Sequence, residues 1–272
     1  MKKFSKPFFS IITPILYGER YIDNFISCLI SQEFQNWECI LINDGSKDKS
    51  FPLLKSKIRN ETRFKITKTN PAKKKIKSPY LARNKGLEIA KGKYVCFLDI
   101  DDYWLPKKLI NEFKIVLEND KPEIIIGSYI KANKNLSRGY PKPRFDLLPI
   151  KTQIKIWNAC PLLSTTILRK KINNINFNPV YHEDYNFWFF ILKEINSQKI
   201  FMNYKFNCIY RTSPKSQSSN KIKAANWIYK CYRSFNYPIL ISLLLLIIKI
   251  ISEIIEKFLV LIGLIKKMRI SL

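Results

Sequence analysis

The strongest constraint on this chain is an alternation that runs through its first half. Short β-branched, apolar runs alternate with segments whose apolar residues recur at helical spacing. Phe8–Thr13 precedes Ile22, Phe25, Ile26, Leu29 and Ile30, and Trp37–Ile42 precedes Leu53, Leu54 and Ile58. Phe64–Thr67, a helical Leu81–Ala90 and the run Tyr94–Leu98 continue the pattern. A helix opened by Pro106, carrying Leu109, Ile110, Phe113, Val116 and Leu117, then leads to Glu123–Ile130. Continuous apolar runs of this length suit strands buried on both faces, and strand–helix alternation builds βαβ units. The expectation is an α/β fold, a mostly parallel sheet flanked by helices. Gly92 is expected to end the third helix as a C-terminal glycine. Farther on, Glu183–Glu194 reads as a helix. Ile200, Met202, Tyr204, Phe206, Cys208 and Tyr210 alternate as on a half-buried strand.

Open α/β sheets bind ligands outside the carboxyl ends of their strands. The turns after Thr13, Ile42 and Leu98 lie on that edge, and two of them carry carboxylates: Asn43-Asp44-Gly45-Ser46 and Asp99-Ile100-Asp101-Asp102. Hard divalent cations such as Mn²⁺ or Mg²⁺ take one or two carboxylates plus substrate phosphates. Acids clustered at the end of a buried strand repel one another unless a cation neutralises them. Alone, such a turn equally serves as a solvated cap of the following helix.

Five motifs occur in order: Ser10-Ile-Ile-Thr13-Pro14, Asn43-Asp44-Gly45-Ser46, Ala82-Arg83-Asn84-x-Gly86, Gly92-x-Tyr94 and Asp99-x-Asp101-Asp102. In order and spacing they resemble the family 2 glycosyltransferases of GT-A fold, from about Phe8 to Tyr210. The resemblance implies an inverting transferase that uses a UDP-sugar and a divalent cation, Mn²⁺ or Mg²⁺. Thr13 and Asp44 would then lie against the nucleobase and ribose, Arg83 against base or diphosphate, and Asp99 against ribose or metal. Asp101 would be the direct metal ligand. The later acidic motif of the family matches His182-Glu183-Asp184, with Asp184 the general base and Glu183 beside it. The chemistry agrees: transfer needs an acceptor hydroxyl deprotonated as it attacks, and the departing diphosphate neutralised. One base and no covalent nucleophile imply inversion. Two acids at a helix start are also favoured by the helix dipole alone. Ile15-Leu16-Tyr17-Gly18 departs from the Tyr-Asn common in the family after Thr-Pro. Lys73-Lys74-Lys75-Ile76-Lys77 is unusually basic and is expected to be a solvated loop.

Composition enters where partners are concerned. The 272 residues carry 48 Lys and Arg against 21 Asp and Glu, a net +27. Such a charge calls for a polyanion, whether nucleic acid, anionic lipid or diphosphate, or reflects a Lys-rich genome. No nucleic-acid module accompanies it, so no nucleic-acid partner is expected. The seven glycines form neither GxGxxG nor a P-loop, which excludes dinucleotide and P-loop enzymes. None of the six cysteines forms a CxxC pair, which fits a reducing compartment, and a lone histidine, His182, excludes a multi-histidine metal site. Lys2 and Lys3 before Phe8–Ile12 imitate a secretion signal, but Pro7 and Pro14 interrupt the run and no small-residue cleavage site follows.

From Pro238 to Lys267 the chain is nearly all Leu and Ile, yet Ser242, Lys249, Glu253, Glu256 and Lys257 share one narrow helical stripe. The uninterrupted run Pro238–Ile248 falls short of the roughly 20 residues that span a bilayer. Residues 221–272 hold nine Lys or Arg against two Glu. A helix lying at an anionic membrane surface is expected, ahead of a transmembrane hairpin or simple packing on the catalytic domain. The division is thus a catalytic domain over 1–220 and a membrane-associating tail over 221–272. The catalytic domain splits into a nucleotide-binding half to about 130 and an acceptor-binding half over 131–220. The expected function is transfer of a hexose or N-acetylhexosamine from a UDP-sugar to a growing surface glycan or glycolipid. The expected location is peripheral, at the cytoplasmic face of the inner (plasma) membrane. The alternatives are an inactive membrane-bound scaffold of the same fold and a basic nucleic-acid-binding protein.

Overall fold

The computed structural model describes residues 6–70, 72, 74–142, 149–157, 160–212, 220–270 and 272. In chain order the first half runs β1 (Phe9–Ile15), α1 (Ile22–Ile30), β2 (Trp37–Asn43), α2 (Ser50–Lys57), β3 (Phe64–Lys68) and α3 (Tyr80–Ile89). It continues with β4 (Tyr94–Phe97), β5 (Tyr103–Trp104), α4 (Lys108–Glu118) and β6 (Ile124–Ala132). The second half comprises β7 (Arg138–Pro141), α5 (Ile150–Trp157), β8 (Thr165–Leu168), α6 (Glu183–Glu194), β9 (Ile200–Arg211), α7 (Lys221–Ser234), α8 (Ile239–Leu261) and β10 (Met268–Arg269).

All the strands join one sheet, with the order β10-β7-β6-β8-β4-β1-β2-β3 and with β9 beside β5 and β6. The N-terminal part of the sheet, β4-β1-β2-β3, is wholly parallel, as the apolar runs require. Its alternate side chains enter two cores. Phe9, Ile11 and Ile15 pack with α1, while Ile12, Ile40 and Ile42 pack with α3 and α6. Gly92 does not cap a helix: its N–H meets Ser10 Oγ at 2.7 Å, and a Cβ there would stand 2.5 Å from the Ser10 amide. Close approach to β1, not a left-handed cap, is what requires glycine at this point.

The second half is mixed. β8 inserts antiparallel between β4 and β6, and β9 runs parallel to β6. The alternation expected along β9 fails in its middle, where Tyr204 and Phe206 are exposed and Asn203 and Asn207 are buried. Register slips between Gly127 and Ser128, and again between Ser128 and Tyr129, place extra β9 residues there; each bulge shifts which side chains face inward.

A buried ion pair ties the layers together. Lys108 Nζ lies 2.8 Å from Glu112 on α4, both side chains 1% exposed. The ammonium also donates to Thr166 Oγ1 of β8 at 3.1 Å and sits 4.0 Å from the centre of the Trp104 ring. Lys108→Met strands the Glu112 carboxylate in the core and is expected to cost about 3–5 kcal/mol in urea unfolding. Adding Glu112→Leu should restore most of that loss, since two apolar groups leave no charge unpaired.

The C-terminal elements fold back on the sheet. α7 packs on α6, α8 packs on α5 and α7, and β10 pairs antiparallel with β7. The polar stripe of α8 points inward. Ser242 and Glu256 are buried, and Glu256 accepts from Lys131 Nζ at 2.6 Å, from Tyr140 OH at 3.2 Å and from Lys142 Nζ. Leu245 and Leu246 pack inward on Tyr185, Phe189 and Tyr232, but many of the other Leu and Ile residues face outward; Leu240, Leu244, Ile247 and Ile254 are each more than half exposed. This reverses the usual polarity of a surface helix. Among the described residues, no helix is long and apolar enough to cross a membrane.

Candidate active site

The ends of β1, β2 and β4 meet at one edge of the parallel part of the sheet. After β2, the Asn43 carboxamide oxygen accepts from Gly45 N at 3.0 Å and Ser46 N at 2.8 Å. Gly45 has φ +95°, a conformation that glycine adopts without penalty. This turn presents Asp44, whose backbone N–H donates to Ile15 O at 3.0 Å. The Asp44 carboxylate pairs with Lys74 Nζ and accepts from Thr69 Oγ1 at 3.3 Å. Lys74 is therefore an ion-pair partner with a side chain only 15% exposed, where the sequence pointed to a solvated loop. Lys73 lies outside the described residues. Thr13 is fully buried, and its hydroxyl is 3.9 Å from Cys39 Sγ. Strand alternation turns this side chain toward the α1 face, so the sheet edge receives only backbone from position 13.

After β4, the carboxylates of the Asp99-Ile100-Asp101-Asp102 turn have different partners. Asp99 takes both oxygens to Arg83 Nη2, at 2.9 and 3.1 Å. Asp102 is buried and accepts from the Arg211 backbone N–H at 3.0 Å. Arg211 Nε donates to Asp101 O at 2.6 Å, so the end of β9 clamps the turn from below. Apart from a bond to its own backbone N–H, no hydrogen-bond partner of the Asp101 carboxylate stands among the described residues. Burial, reinforced by Asp99, pushes it up to about 6 despite Arg211 and Arg20.

Arg83, 5% exposed on α3, links the two acidic motifs. Its Nη1 bonds Glu183 at the start of α6, while its Nη2 holds Asp99. Burial works against the Arg83 charge, but Asp99, Glu183 and Asp184 outweigh it and hold the guanidinium well above its ordinary value. Asn84 braces the same junction, donating to Phe177 O at 2.9 Å and accepting from Phe177 N at 2.7 Å. Phe177 in turn stacks on Phe187 of α6 at 3.9 Å. The two acids of α6 thereby separate. Glu183 is buried against Arg83, and burial pushes its carboxyl up against that pairing. Asp184, one residue on, is only half-buried at the positive end of the helix. His182 precedes them in a left-handed conformation, φ +54°, an uncommon one for a residue with a Cβ.

Arg83, bonded to Asp99 and to Glu183, brings both motifs to one space, and Tyr210 feels their charge. Its hydroxyl is pushed up by burial and then by Asp102, Asp101, Asp99 and Asp184 together. Of the residues singled out from sequence, Asp44, Arg83, Asp99, Asp101, Glu183 and Asp184 line this edge, and the Thr13 side chain does not. Arg211 and Tyr210 escaped notice because nothing local marks them; the topology alone brings the end of β9 under the acidic turn. Among the described residues, no three His, Cys, Asp or Glu side chains are grouped to hold a metal by themselves. The donor set nevertheless fits a cation shared with a diphosphate, because Asp101 and the half-exposed Asp99 are the one or two carboxylates such a site needs.

A parallel half joined to a mixed half, with acids from a strand end of one and a helix start of the other brought together, is the architecture of GT-A glycosyltransferases. The chain belongs to glycosyl transferase family 2, whose family model matches residues 10–214. It is 32% identical over 223 residues to the Escherichia coli UDP-Glc:alpha-D-GlcNAc-diphosphoundecaprenol beta-1,3-glucosyltransferase WfgD, covering 79% of this chain and 81% of the relative. Its fold matches that of S. aureus TarS 1–349 in complex with UDP-GlcNAc, with a TM-score of 0.64 and 17% identity, over 88% of this chain and 70% of the other. The mannosyltransferase PcManGT from Pyrobaculum calidifontis, in complex with GDP-Man and Mn²⁺, superposes with a TM-score of 0.64 and 13% identity. That match covers 89% of this chain and 70% of the other.

Proposed function

We propose that this glycosyltransferase moves a hexose or N-acetylhexosamine, with inversion, from a UDP-sugar to a hydroxyl of a lipid-linked intermediate of a surface glycan. The observation that carries the reading is the Arg83 junction, which places Asp99 and the start of α6 on either side of one buried guanidinium. The uridine donor and the diphosphate-linked acceptor are supported by the activity of the E. coli relative. In this reading Asp44 accepts from the base, and Lys74 yields its place on Asp44 when the donor enters. Asp101, with Asp99, holds a divalent cation, which supplies charge neutralisation to the departing diphosphate. Asp184 accepts the acceptor's proton. Arg83 keeps Glu183 and Asp99 in place and lends positive charge to the donor side. A screen of nucleotide sugars for divalent-dependent release of nucleoside diphosphate tests the reading. Release from none of them, with or without lipid-linked acceptors, would sink it.

The outward apolar face of α8 supports peripheral attachment at the cytoplasmic leaflet of the plasma membrane. A contiguous exposed apolar strip of this length is unusual on a soluble monomer, and lipid is a partner that also accounts for the flanking Lys257, Lys266, Lys267 and Arg269. Wild type should float with phosphatidylglycerol vesicles. The triple change Leu244→Glu, Ile247→Glu, Ile251→Glu should reduce vesicle binding by at least about tenfold, since each apolar side chain withheld from lipid forfeits about 1.5–3 kcal/mol at most. Equal flotation of both proteins would remove α8 from the membrane-binding role.

A further inference from the structure

A groove of about 420 Å³ runs between α7 and α8, a size within the roughly 300–1,000 Å³ of small-molecule clefts. Its lining is of two kinds. His182 and Tyr185, the neighbours of Asp184, line it together with Lys249, whose Nζ stands 5.9 Å from the Tyr185 ring. Ile222, Ile250 and Ile254 also line it, and all three are exposed, the last two on the apolar face of α8. Lys221 and Lys257 lie along the rim, so three lysines of the lining face one carboxylate, Glu253.

We infer that this groove binds the diphosphate and first isoprenoid units of a lipid-linked acceptor, with Lys249, Lys221 and Lys257 on the phosphates and the hydrocarbon leaving along Ile222, Ile250 and Ile254. The inference rests on the glycosyltransferase reading above and adds to it the place where the acceptor is held.

Three features support a ligand that is anionic at one end and apolar at the other. First, Lys249 is poorly neutralised. Its side chain is 13% exposed, and its Glu253 partner stands 3.9 Å away and is shared with Lys221 at 3.7 Å. A nearly buried ammonium with so distant a counter-ion leaves room for a closer anion. Burial, aided by Lys131 and Lys221, holds Lys249 below its ordinary value against Glu253 and Asp184, as expected where an anion is lacking. Second, His182 Nε2 is buried without a hydrogen-bond partner among the described residues. The ring belongs to the groove lining, and its backbone is held in the left-handed region. Third, close aromatic packing stands behind the lining. Tyr181 stacks on Trp227 at 4.2 Å and 9°, and the lining residue Tyr185 meets Tyr232, hydroxyl to hydroxyl, at 2.9 Å. A site for bulk anionic lipid needs no built cleft beside the proposed base. An acceptor does, because its sugar must follow the diphosphate directly to Asp184.

The test is isothermal titration of the full chain with farnesyl diphosphate, set against farnesol, inorganic pyrophosphate and phosphatidylglycerol vesicles. Farnesyl diphosphate should bind at least tenfold more tightly than farnesol or pyrophosphate, because each alternative supplies only one end of the ligand. Lys249→Gln and Ala225→Trp, which remove the inner cation and fill the groove, should each weaken binding at least tenfold, an effect of about 1.4 kcal/mol or more. Lys257→Gln, on the exposed rim where folding is not at risk, should weaken it several-fold. Unchanged affinity in all three variants overturns the assignment. So does pyrophosphate binding as tightly as farnesyl diphosphate, or displacement by UDP or by phosphatidylglycerol vesicles. If wild type releases nucleoside diphosphate from a nucleotide sugar yet farnesyl diphosphate ignores the groove variants, only the groove assignment falls. If wild type uses no nucleotide sugar at all, the glycosyltransferase reading falls with it.

Discussion

Asp184→Asn is expected to lower the rate of glycosyl transfer by about 100- to 10,000-fold, the usual contribution of a positioned general base. The substitution keeps the volume and the helix start but cannot accept a proton. Donor affinity should change little, since Asp44, Arg83 and the turn after β4 hold the donor in the proposed site. The effect should therefore appear in kcat for transfer and not in KM for the nucleotide sugar. Glu183→Gln is expected to behave differently. Glu183 is bonded to the buried Arg83, so its change disturbs the junction and weakens the donor side as well. Measuring kcat and KM separately for both variants distinguishes the roles. Full turnover in Asp184→Asn would transfer the base role elsewhere.

The second large effect concerns Asp101. Its carboxyl moves from its ordinary 3.8 to about 6 in the folded chain. A carboxyl whose folded value is raised stabilises the fold most below its unfolded value. That contribution is lost as pH rises from about 4 through about 6. Without a divalent cation, stability should therefore change less favourably across this window in wild type than in Asp101→Asn, the difference isolating Asp101 from Asp102, Glu112 and Glu183, which are also raised and remain in both. Mn²⁺ should offset the Asp101 loss at pH 7.5, by about 2.7 kcal/mol at a hundredfold excess over its Kd, and should do progressively less as pH falls below about 6. In Asp101→Asn the Mn²⁺ response should disappear, and turnover should fall by about 100- to 1,000-fold, as when a donor to developing negative charge is removed. Thermal melts at pH 5 and 7.5, with and without Mn²⁺, check the first part. An identical Mn²⁺ response in the variant would refute Asp101 as the ligand.

Much of the candidate site was legible in the residues themselves. The apolar runs of β1, β2 and β4 announced strands buried on both faces, and βαβ alternation placed their ends on one side. The turns Asn43-Asp44-Gly45-Ser46 and Asp99-Ile100-Asp101-Asp102 therefore had to share that edge. What escaped was direction and partnership. Thr13 belonged to the motif, yet its side chain turns inward to Cys39, because the strand's phase relative to the sheet is a property of the packed layers. The resemblance gave Asp184 as the base with Glu183 beside it, but not what Glu183 is bonded to; that is Arg83, 100 positions away, while Asp184 is half-buried. Lys74 was one of a basic run until Asp44 was seen to hold it. The alternation expected along β9 is lost, with Asn207, Cys208 and Ile209 buried in succession, beside bulges that answer to β6.

The tail makes the division plainest. The sequence by itself determined that a long helix would carry a narrow polar stripe on an otherwise apolar cylinder, because that pattern follows from 3.6 residues per turn alone. Which side would face the protein depended on Lys131, Tyr140 and Lys142, brought by β6 and β7 to meet Glu256. Local periodicity is written into neighbouring residues. Burial of a charge is decided by whatever distant groups the topology delivers to neutralise it, so the outward apolar face of α8 and the groove beneath it emerge only in the assembled fold.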